Sequence, residues 1–146
     1  DDMSHRGTED SELFMLRSAP RPIPPELTSL TGEVVGACIA VHRSLGPGLL
    51  EAIYQRAVSV ELDARGITHD VERTVPVWFR GQLVGHHRLD LVVDDRVVVE
   101  LKAAERLTPY HVAQTLSYLR VTHLRVGLLV NFNVPVLKDG IRRVVL

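Results

Sequence analysis

The sequence lacks several features that would place it in a narrow class of proteins. A single cysteine, Cys38, among 146 residues excludes an internal disulfide and any zinc site built from several cysteines. No apolar run approaches the ~20 residues that a membrane-spanning helix needs, so we expect no membrane association. Neither sign of charge dominates, because 17 basic and 18 acidic side chains leave a formal charge of −1. Any site for a polyanion must therefore be a local patch.

What is present is the composition of one folded domain. The hydrophobic fraction of 45% and the charged fraction of 24% are ordinary values for globular proteins. A chain of this length has room for one domain with a real hydrophobic core. The sequence shows no apolar segment typical of a signal peptide, so we expect a cytoplasmic protein.

Residues 1–26 differ in composition from the rest of the chain. They mix charged residues with Ser and Gly, and four prolines between Pro20 and Pro25 favour an extended backbone. We therefore predict a flexible, proline-rich tail over residues 1–26 and a single domain over residues 27–146.

The periodicity of apolar residues predicts an α/β fold. A helical period begins at Leu30 and returns over residues 51–64, after a turn at Gly46-Pro47-Gly48. The period then falls to two, which predicts strands over residues 71–79, 83–93 and 96–102.

A third helix and two more strands complete the prediction. Thr108 and Pro109 are a typical N-cap and first helical residue, and the helix extends to about Arg120. A nearly continuous apolar strand follows over residues 124–132, and a short strand over 141–145 ends the chain. We expect a mixed central sheet, formed by a three-strand meander plus a crossover helix and strand, flanked by helices.

Charged residues lie on two of the predicted apolar strands. Glu100 and Lys102 emerge on one face of the third strand, about 7 Å apart, and Asp90 lies on the second strand. A two-residue turn at Asp94-Asp95 would pair Asp90 with Val99 and send the two acids to opposite faces. A site containing both acids therefore requires a three-residue loop over residues 94–96, or a β-bulge.

Two readings of these charges remain open. If the acids converge, Asp90, Glu100 and the carbonyl of Leu101 offer hard oxygen ligands for Mg²⁺ or Mn²⁺. Lys102 would then orient or activate a water molecule for metal-assisted phosphodiester hydrolysis. The alternative is a surface hairpin with an ordinary ion pair, which the spacing alone favours because such spacings recur by chance.

Further residues make the pattern more specific. Glu51 begins the second helix directly after the Gly-Pro-Gly turn, and Gln114 and Tyr118 share a face of the third helix. The sequence resembles the GxxExxY protein family, a branch of the PD-(D/E)XK nuclease-like superfamily. The matching segments are residues 41–54, 88–92, 99–103, 114–118 and 127–133.

The resemblance implies a restriction-endonuclease-like core with a metal ion at the centre of the sheet. Asp90 and Glu100 would be the metal carboxylates, and Lys102 the catalytic lysine. In this sequence Leu89 stands where the superfamily usually has a proline before the first acid.

The resemblance also implies supporting roles for residues on the helices. Glu51 resembles the additional helix-borne acid of exonuclease-like members, which reaches the metal site. Gln114 and Tyr118 resemble a Gln-x-x-x-Tyr pair that positions phosphate or the catalytic lysine.

Other side chains are candidates for the lining of the site or for substrate contacts. Tyr54 and His111 would line it, as would His42, although a satisfied polar residue on a helix is the favoured interpretation of His42. Alternation along the second strand favours His86, and not His87, on the side of Asp90, with solvent exposure as the default interpretation.

Trp78 and Phe79 lie near the predicted turn between the first two strands. They would form either an exposed stacking platform or part of the packed sheet, and sheet packing is the favoured interpretation.

Two classes of function are consistent with this pattern. The first is a Mg²⁺- or Mn²⁺-dependent nuclease acting on DNA, favoured by the cluster of charges at Asp90, Glu100 and Lys102. The second is a non-catalytic nuclease-fold module that binds nucleic acid or a protein partner, favoured by the net charge near zero. A homodimer is a further expectation, since an edge strand over residues 141–145 invites pairing.

Overall fold

Three helices and a five-stranded sheet form the fold in the computed structural model, which describes residues 21–146. The elements in chain order are α1 (Pro25–Leu45), α2 (Glu51–Ala64), β1 (His69–Phe79), β2 (Gln82–Val93), β3 (Val97–Lys102), α3 (Pro109–Thr122), β4 (Val126–Asn131), a 3₁₀ helix (Leu137–Gly140) and β5 (Ile141–Val145). No helix in this part of the chain is long and apolar enough to cross a bilayer.

The first helix begins earlier than the sequence pattern predicts. It starts at Pro25, where a proline is tolerated because the first N–H groups of a helix have no partner inside it. The guanidinium of Arg125 donates hydrogen bonds to the carbonyl oxygens of Arg21 and Pro22, so the chain contacts the domain before Leu27. Residues 1–20 of the predicted tail lie outside the described residues.

The sheet is mixed, as predicted. Its strand order is β1-β2-β3-β4-β5, with β3 and β4 parallel and every other neighbouring pair antiparallel. Helix α3 connects the two parallel strands, since a parallel pair needs a crossover and cannot be joined by a tight turn. The meander with one crossover is thus confirmed.

The hairpin between β2 and β3 has the three-residue loop that a shared site requires. Leu91 lies opposite Val99 and Val93 opposite Val97, which leaves residues 94–96 as the loop. Asp94 and Asp95 both adopt positive φ angles, of 50° and 55°. In this register the next opposed positions are Asp90 and Glu100, so the two acids share a face of the hairpin.

Helices cover both faces of the sheet. Helices α1 and α2 pack on one face, in a core that includes Val34, Cys38, Tyr54, Val58, Leu91, Val93, Val97, Val99 and Leu101. Helix α3 packs on the other face, in a smaller cluster of Leu89, Val92, Val98, Tyr118, Leu119 and Val144. Glu100 and Lys102 alternate with the residues of the larger core, so they belong to the α3 face.

Candidate active site

The two acids meet where strands β2 and β3 stop pairing. The backbone N–H of Leu101 donates to Asp90 Oδ2 at 2.9 Å, and the backbone N–H of Asp90 donates to Glu100 Oε1 at 3.1 Å. Each carboxylate therefore accepts a hydrogen bond from the main chain of the opposite strand. The main chain holds both carboxylates in place, and the predicted convergence of Asp90 and Glu100 is confirmed.

Strand β2 changes its facing pattern at this point. Leu89 packs with Val92 and Val98 in the cluster beneath α3, although three residues separate Leu89 from Val92. On β1, Glu72 lies between the partners of Leu89 and Leu91 and has a positive φ of 57°. Simple alternation therefore fails across Asp90.

The interruption reverses the prediction for the two histidines. His87, and not His86, faces α3: its Nε2 lies 3.2 Å from Ser117 Oγ, and its ring packs edge-on against Tyr118 at 4.8 Å. The preference for His86 was wrong because it assumed unbroken alternation between these residues and Asp90.

The ammonium group of Lys102 lies between Glu100 and Gln114. Its Nζ lies 3.6 Å from Glu100 Oε2 and donates a hydrogen bond to Gln114 Oε1 at 3.2 Å. Strand β3 places the lysine beside Glu100, and α3 supplies the amide that holds its end. The predicted proximity of Glu100, Lys102 and Gln114 is thus confirmed.

Burial raises the pKa values of both acids. Burial, followed by the neighbouring charge of Asp90, raises the pKa of Glu100 to about 8. Burial also raises the pKa of Asp90, against the hydrogen bond from Leu101 and the charge of Lys102, which lower it. Two adjacent carboxylates cannot both ionise cheaply unless a further positive charge approaches.

Tyr118 lies one helical turn beyond Gln114 and completes this polar cluster. Burial, followed by the charges of Glu100 and Asp90, raises the pKa of Tyr118 to about 12. The charges of the two acids therefore act on the phenol, but among residues 21–146 no hydrogen bond joins its hydroxyl to either acid. Its nearness to them agrees with the predicted face shared with Gln114.

The close approach of α3 to the sheet depends on Gly127 of β4. A Cβ atom at this position would lie 2.8 Å from Thr115 Cγ2, closer than real contacts allow. Thr115 follows Gln114 directly, so a larger residue at position 127 would push the helix away from Lys102.

The donor set fits a small, hard divalent cation. Among residues 21–146 no group of three or more His, Cys, Asp and Glu side chains is arranged to hold a metal ion. Mg²⁺ commonly takes only one or two carboxylates from a protein and completes its coordination with water and substrate phosphate. Asp90 and Glu100 match that pattern. Ligation by the Leu101 carbonyl stays a prediction.

The structure does not bring Glu51 into contact with the cluster. It is the first residue of α2, its side chain is exposed, and α2 covers the face of the sheet opposite α3. No hydrogen bond or ion pair in the described part of the chain joins Glu51 to Asp90, Glu100 or Lys102. Its role at the site stays a prediction.

Tyr54 is a structural residue and does not line the site. Its side chain is fully buried and stacks on Phe132 with 4.4 Å between ring centroids. Its hydroxyl donates to the carbonyl of Gly46 at 2.6 Å and accepts from the N–H of Leu49 at 3.1 Å. The expectation that Tyr54 lines the site was wrong, because this tyrosine holds the turn before α2 from inside the core.

The two other histidines proposed as lining residues have structural partners. His42 is buried with its Nε2 2.7 Å from the carbonyl oxygen of Val134, which confirms the interpretation as a satisfied polar residue. His111 Nδ1 accepts a hydrogen bond from the N–H of Thr108 at 3.1 Å and forms a capping box at the start of α3. His111 lies on the helix of Gln114, and contact with a substrate stays a prediction for it.

Asn131, which holds the chain just after Lys102, was not predicted from the sequence. It lies opposite Lys102 in the parallel register of β3 and β4 and is 1% exposed. Its Oδ1 accepts from the N–H groups of Ala104 and Asn133, and its Nδ2 donates to the carbonyl of Ala104. The signal was a lone amide at the end of an apolar strand, since a buried amide needs hydrogen-bond partners.

Comparison with protein-family models gives a match to the PD-(D/E)XK nuclease superfamily over residues 28–144, most of the chain. The five-stranded mixed sheet with its three helices is consistent with the restriction-endonuclease-like fold of that superfamily, as predicted. Neither the comparison with curated proteins nor the comparison with solved structures gave a significant match.

Proposed function

The chain belongs to the PD-(D/E)XK nuclease superfamily, and from that premise we propose that it is a Mg²⁺- or Mn²⁺-dependent nuclease that hydrolyses phosphodiester bonds in DNA. The observation that carries the proposal is the pairing of two carboxylates, buried Glu100 and half-buried Asp90, each bonded to the main chain of the other's strand, with the Lys102 ammonium beside Glu100. Membership of the narrower GxxExxY family is part of the proposal and rests on the five sequence segments.

In this proposal each residue of the cluster has a distinct task. Asp90 and Glu100 hold the cation, and the amides of Leu101 and Asp90 keep their oxygens oriented. When bound, the cation supplies positive charge that stabilises the scissile phosphate and acidifies water. Lys102, steadied by Gln114, orients the attacking water by donating a hydrogen bond to it. Tyr118 contributes a neutral hydroxyl donor beside the acids.

The free-energy cost of burying the Glu100 carboxyl group favours a functional cluster over a structural one. Buried charges contribute less to stability than apolar side chains of similar volume. Glu100 is 3% exposed and has a raised pKa, so it destabilises the free protein at neutral pH. A bound cation would offset this cost by stabilising the ionised carboxylates.

The second candidate is a non-catalytic module that binds nucleic acid or a protein partner. Two observations favour it: the formal charge of −1, and the provision of only two carboxylates in the described part of the chain. The two candidates differ in whether metal-dependent cutting occurs.

The chain provides a matched control for a test of catalysis, because it has only two lysines, Lys102 and Lys138. The purified protein is incubated with single-stranded, double-stranded and branched DNA in the presence of Mg²⁺ or Mn²⁺. We expect cutting that needs the metal, that falls by about 10²–10⁴-fold in Lys102→Ala, and that persists in Lys138→Ala. Lys138 is exposed on the 3₁₀ helix and has no contact with the site.

Two results would contradict the proposal. Equal cutting by both lysine variants would point to a contaminating nuclease. Absence of cutting, together with absence of Mn²⁺ binding in calorimetry, would mean that the carboxylates are structural, and the binding module would become the better candidate.

A further inference from the structure

The hairpin tip, residues 78–84, comprises the end of β1, the turn and the start of β2, and it exposes large apolar side chains. Trp78 is 62% exposed and Phe79 65%, and Leu83 and Val84 on the returning strand are also exposed. The expectation that the two aromatic rings pack within the sheet was therefore wrong. Their rings offer flat apolar surface to solvent next to the turn at residues 80–81.

The same hairpin carries no acidic side chain near its tip, so a polyanion would meet no like charge there. Residues 74–89 contain no acidic residue and include Arg80, His86, His87 and Arg88. Arg88 pairs with Glu72, whereas Arg80 is exposed and forms no ion pair within residues 21–146. Aromatic rings beside an unpaired arginine suit a ligand that combines flat rings with negative charge, as nucleic acids do.

The hairpin tip and the candidate active site lie on the same strand, β2. Strand β2 carries both Leu83, which pairs with Trp78, and Asp90. Asp90 lies seven positions after Leu83, and seven steps along an extended strand span about 23 Å. Stacked nucleotides rise by ~3.4 Å each, so a bound strand would cover this distance with roughly seven nucleotides.

We propose that the hairpin tip binds unpaired bases of the nucleic acid that the site cuts, with Trp78 stacking on a base and Arg80 contacting the backbone. This inference rests on the proposed nuclease function and names its substrate class: DNA with a single-stranded segment roughly seven nucleotides from the scissile bond. The bases must be unpaired, because stacking uses the faces of the rings and a duplex covers those faces with neighbouring base pairs.

Trp78 is the only tryptophan of the chain, so its fluorescence reports directly on the hairpin tip. The full chain is titrated with a 20-nucleotide oligothymidine and with a blunt duplex of equal length, both in EDTA so that nothing is cut. We expect quenching by the single strand and little by the duplex. Absence of quenching by the single strand, or equal quenching by both, would overturn the inference and would leave a protein as the candidate occupant.

Variants separate stacking from general apolar contact. We expect Trp78→Ala to weaken binding of a labelled oligothymidine by about tenfold in fluorescence anisotropy, the effect of losing one stacked base. The control is Leu83→Ala, which removes apolar surface directly opposite Trp78 but no ring, and we expect less than a twofold change. Equal losses in the two variants would contradict a stacking role. All these side chains are exposed, so both variants should fold.

The cutting assay distinguishes failure of this inference from failure of the proposed function. With active protein, Trp78→Ala should raise KM for a 20-nucleotide strand and leave cutting of a four-nucleotide strand unchanged. Cutting of both strands at wild-type KM would overturn the hairpin inference and leave the nuclease intact. Quenching without cutting under any metal would refute the nuclease and support the hairpin as a binding site.

Discussion

The two faces of the sheet are covered by helices but differ in what they bury. The face against α1 and α2 is mainly apolar: burial raises the pKa of its Cys38 thiol to about 12, and His42 Nε2 lies 2.7 Å from the carbonyl oxygen of Val134. The face against α3 buries Glu100 beside Lys102, and Gln114 of α3 accepts a hydrogen bond from that lysine.

The difference between the faces indicates a division between stability and chemistry. Packed apolar side chains stabilise the fold, whereas buried charges destabilise it unless a partner compensates them. One face therefore supplies an apolar support, and the other holds two neighbouring acids whose pKa values are raised by burial. Shifted groups of this kind cluster at functional sites.

The largest effect on stability is expected on the α1/α2 face. Tyr54→Ala removes the ring stacked on Phe132 and both hydrogen bonds to the turn before α2, so it should lower the free energy of unfolding by ~3–5 kcal/mol. Urea denaturation measures the change. The control is Tyr110→Ala, which alters an exposed tyrosine and should cost less than about 0.5 kcal/mol. Similar losses in both variants would contradict the structural role of Tyr54.

The opposite sign is expected on the α3 face, from Glu100→Gln. The pKa of Glu100 is about 8 in the folded state and ordinary in the unfolded state, so the folded state binds the proton more tightly. Stability therefore falls as pH rises from about 4.5 to 8, because Glu100 ionises in the unfolded state while it stays largely protonated in the folded state. The glutamine stays neutral, and the variant should be more stable than the wild type at pH 8, by on the order of 3 kcal/mol in EDTA.

The measurement compares urea midpoints of the two proteins at pH 5 and pH 8. The difference should shrink toward pH 5, where Glu100 is mostly protonated in the folded state. Added Mn²⁺ should stabilise the wild type more than the variant. A difference that is the same at both pH values would contradict the raised pKa.

The smallest effects are expected from the hydroxyl groups of the two buried tyrosines, and they sharpen the comparison most. Tyr54→Phe removes two hydrogen bonds in the support and should cost ~1–2 kcal/mol of stability without changing the pH dependence of activity. Tyr118→Phe removes a donor beside the acids and should lower kcat about tenfold, with less than about 0.5 kcal/mol of stability lost. Thermal unfolding and turnover measured on both variants test the pair, and the reverse pattern would contradict the division between the faces.

The sequence predicted much of the site because its central residues are close along the chain. Asp90, Glu100 and Lys102 lie on one hairpin, and the choice between a two-residue and a three-residue loop decided whether they converge. Gln114 and Tyr118 follow on the next helix, where a spacing of four residues defines a shared face.

The predictions that failed depend on contacts that periodicity does not encode. Tyr54 stacks on Phe132, far along the chain, so its partner is not visible in local spacing. The facing of His87 depends on an interruption at Asp90 that alternation cannot reveal.

The sequence by itself determined the helices, the strands, their order and the hairpin that carries the acids, because apolar periodicity and turn residues act over a few positions. Only the tertiary structure decided which polar side chains are buried in the support, that Asn131 braces the chain after Lys102, and that Trp78 is exposed. A strand covered by a helix and a strand that ends in solvent have the same alternation. Burial depends on what packs against a residue. For the buried polar side chains the packing partner is distant in the sequence, as Val134 is for His42.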